Sequence, residues 1–321
     1  MMPPCNTIYA LTAALTIVMV GEVAGQSYPH KPIRFVVPYS PGGPTDTVSR
    51  LIGQKLGETP GWQVIIDNRG GGSGIVGTEL VARAAPDGYT MLLGSFAFAI
   101  NPVLVKDLPY DTLKDFAPVS LLTQGVIALV VHPGVQASSV KELIALAKSR
   151  PAALNYSTTG GGASSHLGAL LFQSMTGIKM TAVNYSGAGP GSLAVLTGEV
   201  HLSFHSIVPA IPFIKTGKLR VLGVSSAKRT NLLPDVPTIA EAGVPGYQVT
   251  QWYGILLPGR TSPPVISRLN QEIVRVVERV DVKENLIAQG LEPAPSSPAE
   301  FSRYISTEVT KWTRVLKEFG S

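Results

Sequence analysis

The chain has 321 residues, 45% of them hydrophobic and 15% charged, a formal net charge of +5 and a single cysteine. This content supports a packed core of about two domains and excludes a disordered chain, a charged coiled coil, a disulfide scaffold and a cysteine-built zinc module. A sequence pI near 9.2 raises nucleic acid as a partner, but the lysines and arginines are scattered without a basic run, and no nucleic-acid partner is expected.

Residues 7–20 carry no charge. As a helix they span roughly 21 Å, short of the hydrocarbon core of a bilayer. The small residues Ala24 and Gly25 follow. The pattern predicts a secretory signal over residues 1–25, cleaved near Gly25, although residues 1–6 lack the usual Lys or Arg. Cys5 precedes the apolar stretch, so the exported chain is Cys-free, which suits a bacterial periplasm.

The mature part reads as strand, glycine-rich turn and helix, repeated. Residues 33–39 form a near-continuous apolar run, expected of a strand covered on both faces. The turn 40–46 leads into a helix with Val48, Leu51, Ile52 and Leu56 on one side. A strand at 63–66, a glycine-rich turn at 68–77 and a helix through Leu80 and Val81 follow, then a strand at 89–93. A strand at 126–131 precedes Ser139-Val140-Lys141-Glu142, a capping box. The unit then recurs: a strand at 155–157, a loop at 157–166 and a helix with Leu167, Leu170, Leu171 and Met175. A strand at 180–185, a loop at 185–191 and a helix over 193–196 come next. Short strands at 200–204 and 221–224 and a returning strand at 248–257 complete the sheets. One long helix carries Ile266 to Val280; the last opens on the capping box Ser297-Pro298-Ala299-Glu300. Strands alternating with helices predict an α/β fold with parallel sheets, whose ligands bind at the carboxyl ends of the strands. The glycines cluster at those ends.

A glycine-rich turn before a helix brings an anion close to unpaired backbone N–H groups and the positive end of the helix dipole. The loops 40–46, 157–166 and 185–191 are three candidates, and none contains Lys or Arg. The hydroxyls of Thr45, Ser157, Thr158, Thr159, Ser164, Ser165 and Ser186 either donate to a carboxylate or cap and turn the chain. Asp46 sits where a residue favours a helix start or holds a bridging water. His166 falls beside a candidate loop and either touches ligand or supports a neighbour. Competing motifs fail. Gly72-Ser73-Gly74-Ile75-Val76-Gly77 fits G-x-G-x-x-G, but the next strand ends without the acidic residue a ribose needs. There is no P-loop and no nucleophile elbow. His201 and His205, on a strand, stand about 13 Å apart, too far for one metal ion. No metal, cofactor or catalytic residue is expected.

Several segments together resemble the Bug-type extracytoplasmic solute receptors, the substrate-binding subunits of tripartite tricarboxylate transporters. They are Tyr39-Ser40-Pro41-Gly42-Gly43-Pro44-Thr45-Asp46, Ala85-Pro86-Asp87-Gly88-Tyr89-Thr90, Ala99-Ile100-Asn101-Pro102, Leu108-Pro109-Tyr110-Asp111, Asp115-Phe116-Ala117-Pro118-Val119, Leu233-Pro234-Asp235-Val236-Pro237-Thr238, Glu241-Ala242-Gly243 and Trp252-Tyr253-Gly254. The resemblance implies a two-lobe, type II-like periplasmic binding fold with two crossover strands, near residues 126–131 and 248–257. Lobe 1 is then residues 26–127 and 249–321, and lobe 2 residues 128–248. It implies a monomer that holds a small di- or tricarboxylate or aromatic acid in the cleft and hands it to membrane permease subunits. Carried onto this chain, the site comprises Tyr39, Pro41, Gly42, Gly43, Thr45 and Asp46 from lobe 1, and Thr159, Gly161, Ser164, Ser165, His166, Tyr185 and Gly187 from lobe 2. Ser186 and His205 stand where the family often has a basic or amide residue and an Asp, so both are expected to tune ligand choice. Ser95, Phe96 and Phe98 stand where a side-chain wall can form, unless the rings belong to the core. An exported α/β hydrolase-like enzyme, or a ligand-dependent receptor for a sensor protein, are the alternatives.

Overall fold

The computed structural model describes residues 28–158, 163–186 and 188–318; the signal segment, Thr159, Gly161 and Gly187 lie outside the described residues. The elements run β1 (Ile33–Val37), α1 (Pro44–Gly57), β2 (Val64–Asn68), α2 (Ile75–Ala82), β3 (Thr90–Ser95), α3 (Phe96–Leu104), β4 (Phe116–Val131), α4 (Val140–Ser149), β5 (Asn155–Thr158), α5 (Ser164–Thr176), β6 (Thr181–Asn184), α6 (Ala188–Leu196), β7 (Leu202–Ser206), α7 (Ile207–Lys215) and β8 (Arg220–Val224). β9 (Thr250–Pro258), α8 (Pro263–Val277), α9 (Val280–Ala288), β10 (Leu291–Pro293) and α10 (Pro298–Glu318) complete the chain.

The alternating α/β pattern is present; α3, α7 and β10 add to the expected elements, and two further differences stand out. First, the sheet is mixed. The strand order is β2-β1-β3-β9-β4-β7-β5-β6, with β8 and β10 also paired to β4. β1 pairs in parallel with β2 and β3, and β5 with β6 and β7. β4 and β9 run antiparallel to their neighbours because they carry the chain across the fold and back. β4 starts ten residues before the apolar run at 126–131. Pro118, Ser120, Thr123 and Gln124 interrupt the earlier stretch, which bulges twice against β9. β4 pairs with β9 up to Val126 and with β7 from Ile127, so a single strand serves both lobes. Second, the long helix expected through Val280 ends at Val277, and α9 restarts after Arg279, which has an extended backbone.

The capping box at α10 forms, and the one at α4 forms in part, its glutamate reaching one residue further back. Ser297 Oγ accepts from Glu300 N–H, and the Glu300 carboxylate accepts from Ser297 N–H. At α4, Ser139 caps Glu142, whose carboxylate reaches back to Ser138.

The core has three parts. α1, α8 and α9 cover one face of the lobe 1 strands through Val48, Ile52, Leu269, Ile273 and Leu286. The opposite face is continuous across both lobes, from Phe96, Trp252, Phe301 and Trp312 to Leu143, Phe172, Phe204 and Tyr247. α6 and α7 close the remaining face with Val195, Ile207 and Ala210. Phe98 belongs to this interior rather than to a ligand wall, with its ring edge-on to Phe116 at 5.0 Å.

At the centre, Gly94 of β3 stands opposite Gly254 of β9. A Cβ on Gly254 would lie 2.2 Å from the ring of Phe301, a fully buried side chain. The missing Cβ lets α10 press against the crossover strand. Gly254→Ala is expected to destabilise the protein by about 1–3 kcal/mol through overpacking. A urea titration followed by tryptophan fluorescence measures this, and an unchanged midpoint would contradict it.

Candidate carboxylate cleft

The loop after β1 is drawn into shape by one carboxylate. Asp46, in the first turn of α1 and buried, accepts from the Gly42 N–H at 3.0 Å, from Arg50 Nε at 2.9 Å and from Asn68 Nδ2 at 3.0 Å. Asn68, at the end of β2, also donates to the Tyr39 carbonyl at 3.2 Å. Gly42 adopts φ +86, which other residues reach only at a cost. Behind the loop, a Cβ on Gly77 would lie 2.8 Å from Pro38 Cα and from the Arg69 carbonyl oxygen. The G-x-G-x-x-G segment thus serves close packing beneath Tyr39. The Arg50 guanidinium first, with help from Gly42 and Asn68, holds the Asp46 carboxyl down at about 2.

From this frame Tyr39 extends to Ser95, their hydroxyls 2.8 Å apart. On the other lobe, Thr158 and Ser165 hydroxyls meet at 3.2 Å across the mouth of the 158–165 loop. Gln251 of β9 donates to Ser164 Oγ at 2.8 Å, which ties the crossover strand to the first residue of α5. Two adjoining cavities open between these groups. One, of about 330 Å³, is lined by Tyr39, Ser40, Gly43, Pro44, Thr45, Ser95, Phe96, Ala97, Ser164, Gln251, Trp252 and Tyr253. The other, of about 530 Å³, shares Tyr39, Pro44, Ser164 and Gln251 and adds Ser157, Thr158, Ala163, Ser165, Gly191, Ser203, Phe204, His205 and Ser206. Such volumes suit a small-molecule site.

Residues of all three glycine-rich loops therefore border one cleft. Of the expected site residues, Tyr39, Gly43, Thr45, Ser95, Phe96, Ser164, Ser165 and His205 line it. Pro41, Gly42 and Asp46 do not; the last two form the support of the loop. His166 is turned into its own lobe, where Nδ1 and the Tyr156 hydroxyl are 3.0 Å apart. The Tyr185 hydroxyl donates to Glu199 at 2.9 Å. Ser186 is exposed and outside the lining set. Phe96 borders the cleft with only its edge, being 6% exposed and packed against Trp312.

Asn68, Arg50, Gln251 and Ser203 went unread in the sequence. Strand alternation offered a signal for Ser203, two residues before His205 and so on the same side of β7. Arg50 follows Asp46 by four residues on α1, a local spacing that pairs opposite charges, whereas Asn68 and Gln251 act through contacts between segments far apart in the chain.

Among the described residues none of the lining side chains is Lys, Arg, Asp or Glu. An anion here meets hydroxyls, the Gln251 amide and the first turns of α1 and α5, whose leading N–H groups have no intrahelical partner. That chemistry binds a carboxylate without a salt bridge. No cluster of metal-ligating side chains occurs among the described residues.

The family model for the tripartite tricarboxylate transporter family receptor matches residues 48–321. The chain belongs to this family. Its members are periplasmic solute-binding receptors, not enzymes. The chain is similar to protein BugT of Bordetella pertussis, with 33% identity over 98% of this chain and 96% of the relative. It is also similar to the structure of Rpa4515 from R. palustris with adipate, with 34% identity over 90% of this chain and 97% of that one and a TM-score of 0.75. MatC from Rhodopseudomonas palustris, solved with bound malate, shows 32% identity over 90% of this chain and all of that one, with a TM-score of 0.72. The two-lobe periplasmic binding fold is thereby shared at the level of the whole chain.

Asp46→Ala is expected to free the Tyr39–Asp46 loop, lowering both thermal stability and ligand affinity. The carboxyl titrates lower in the folded chain than its unfolded value of about 4. Its contribution is therefore complete above about pH 4 and is lost as pH falls toward about 2. Acid unfolding curves of the two proteins should converge at the low end; a constant separation across that range would refute this.

Proposed function

We propose that this receptor captures a small organic carboxylate between residues 26–127 with 249–321 as one lobe and residues 128–248 as the other, and delivers it to the permease subunits of its transporter. The observation that carries the reading is the uncharged cleft bordered by two helix starts and by hydroxyls from both lobes. Ser164 is central. Its oxygen accepts from Gln251, which leaves the hydroxyl proton for a ligand oxygen. The Tyr39 and Ser95 pair uses one of its two hydroxyl protons internally, and the second is free for the same task. The ligands of the two similar structures, adipate and malate, are acids of this size. On this reading the acid is bound and released unaltered, as suits a family of receptors. Export follows from a signal over residues 1–25, cut near Gly25, and the receptor works as a monomer.

Calorimetry of the signal-free protein against mono-, di- and tricarboxylates and aromatic acids should reveal at least one that binds at micromolar concentration. Absence of binding by every acid at millimolar concentration would overturn the reading. For the acid that binds, Ser164→Ala should weaken affinity by about 10- to 100-fold, the worth of a hydrogen bond to a charged group, with little change in melting temperature.

A further inference from the structure

His205 lies in the larger cavity on β7. Ser157 and Ser203 stand opposite one another on β5 and β7, and Ser203 and His205 share a side of β7. The three therefore form one patch. The other four histidines each have a ring-nitrogen partner: His30 with Tyr89, His132 with Gly134, His166 with Tyr156 and His201 with Asn155. His205 has none, and its Nε2 is buried and unsatisfied, as is the neighbouring Ser157 Oγ. Buried polar groups are ordinarily paired, and an orphan costs free energy. Two orphans lining one cavity point to a partner that arrives with the ligand.

The surroundings supply no charge to that patch. β4, paired to β7, has no ionisable residue beyond its Phe116 start, and α6 has none. β5 contributes only Tyr156, whose hydroxyl faces His166. α5 contributes His166, and α7 contributes Lys215 at its distal, exposed end. From β9 comes the neutral Gln251. With nothing nearby to favour its charged form, burial holds the imidazole down at about 4, neutral in the empty cleft. An entering carboxylate reverses that balance, because an opposite charge close by in a desolvated site favours the protonated ring.

We infer that His205 takes up a proton from water as the ligand's second carboxylate settles against it, so the receptor selects dicarboxylates through a counter-charge that exists only in the complex. This inference rests on the carboxylate-receptor reading. No bond of the ligand changes; the ring gains one proton, and solvent loses one.

The probes are the C4 to C8 straight-chain α,ω-dicarboxylates and monocarboxylates of equal length. Titration calorimetry at pH 6.0 in buffers of different ionisation enthalpy should give an uptake of about 0.5–1 proton for the tightest dicarboxylate and about zero for the monocarboxylate. Between pH 6 and 7.5, where these acids are ionised, dicarboxylate affinity should fall by up to about tenfold per pH unit. His205→Gln should abolish both the uptake and the pH dependence. If that variant does not fold, the wild-type His205 Cε1 resonance, followed by NMR with and without the acid, should show the same change of protonation. Dicarboxylate binding without proton uptake, or uptake that survives in His205→Gln, overturns the inference and leaves the receptor reading intact. So does binding of monocarboxylates alone. If no acid binds, both fall.

Discussion

Backbone dipoles take an anion out of water only when they are held still and aimed at one place. That requirement organises this chain. Parallel strands deliver each following helix start to the same edge of the sheet, so β1 with α1 in one lobe and β5 with α5 in the other bring unpaired N–H groups to facing rims. β4 sets the rims opposite each other, because it pairs with β9 in one half and with β7 in the other. Among the described residues that line the cleft, none is a long, charged side chain that can adjust to a misplaced ligand. Precision has to come from the frame.

The frame is built from short, fully used hydrogen bonds away from the ligand. Asp46 is the clearest case. It is the acidic residue nearest the cleft in sequence, yet its oxygens face Gly42, Arg50 and Asn68. A carboxylate so saturated presents little free negative charge to an incoming acid, and its bonds fix the path from Tyr39 to α1. The Gln251 to Ser164 bond plays the matching part on the other rim. It crosses from the strand that returns the chain to the first half to the start of α5 in the other half, and so links the two. These supports explain how serines and threonines, individually weak, form a defined site.

Much of this was legible in the sequence because glycine and helix-start chemistry are local. The turn 40–46, the α5 start and the cleft at strand ends follow from residue types a few positions apart. The antiparallel crossovers were harder. The first ten residues of β4 contain Pro118, Ser120, Thr123 and Gln124, which break the apolar run that marks the rest of the strand. The break between α8 and α9 was hidden because apolar spacing continues through Val276, Val277 and Val280 while Arg279 leaves helical backbone. α3 is apolar nearly all round and carries Pro102, so it has no face by which periodicity can identify it. In the site, Asn68 meets Asp46 across 22 positions and Gln251 meets Ser164 across 87. Neither pairing leaves a trace in local composition. His166 and Tyr185 show the converse. Both lie beside the loops, but whether a ring turns outward or toward Tyr156 or Glu199 depends on partners that local sequence does not reveal.

The absence of a fixed cation has a consequence for selectivity. A buried guanidinium without a partner costs several kcal/mol in desolvation, so an empty cleft containing one recruits an inorganic counter-ion that every substrate must displace. A cleft of hydroxyls and helix starts carries no such debt. Its partial charges, roughly half a unit per helix, are divided among several N–H groups and are already fixed by the fold. Inorganic anions gain little there, since they lack the length to touch both cavities at once. An acid long enough to reach from the Tyr39–Ser164 region to the β7 wall satisfies groups on both lobes simultaneously. On the reading proposed above, the length and the second polar end of the ligand, rather than its charge alone, determine how well it fits the two cavities.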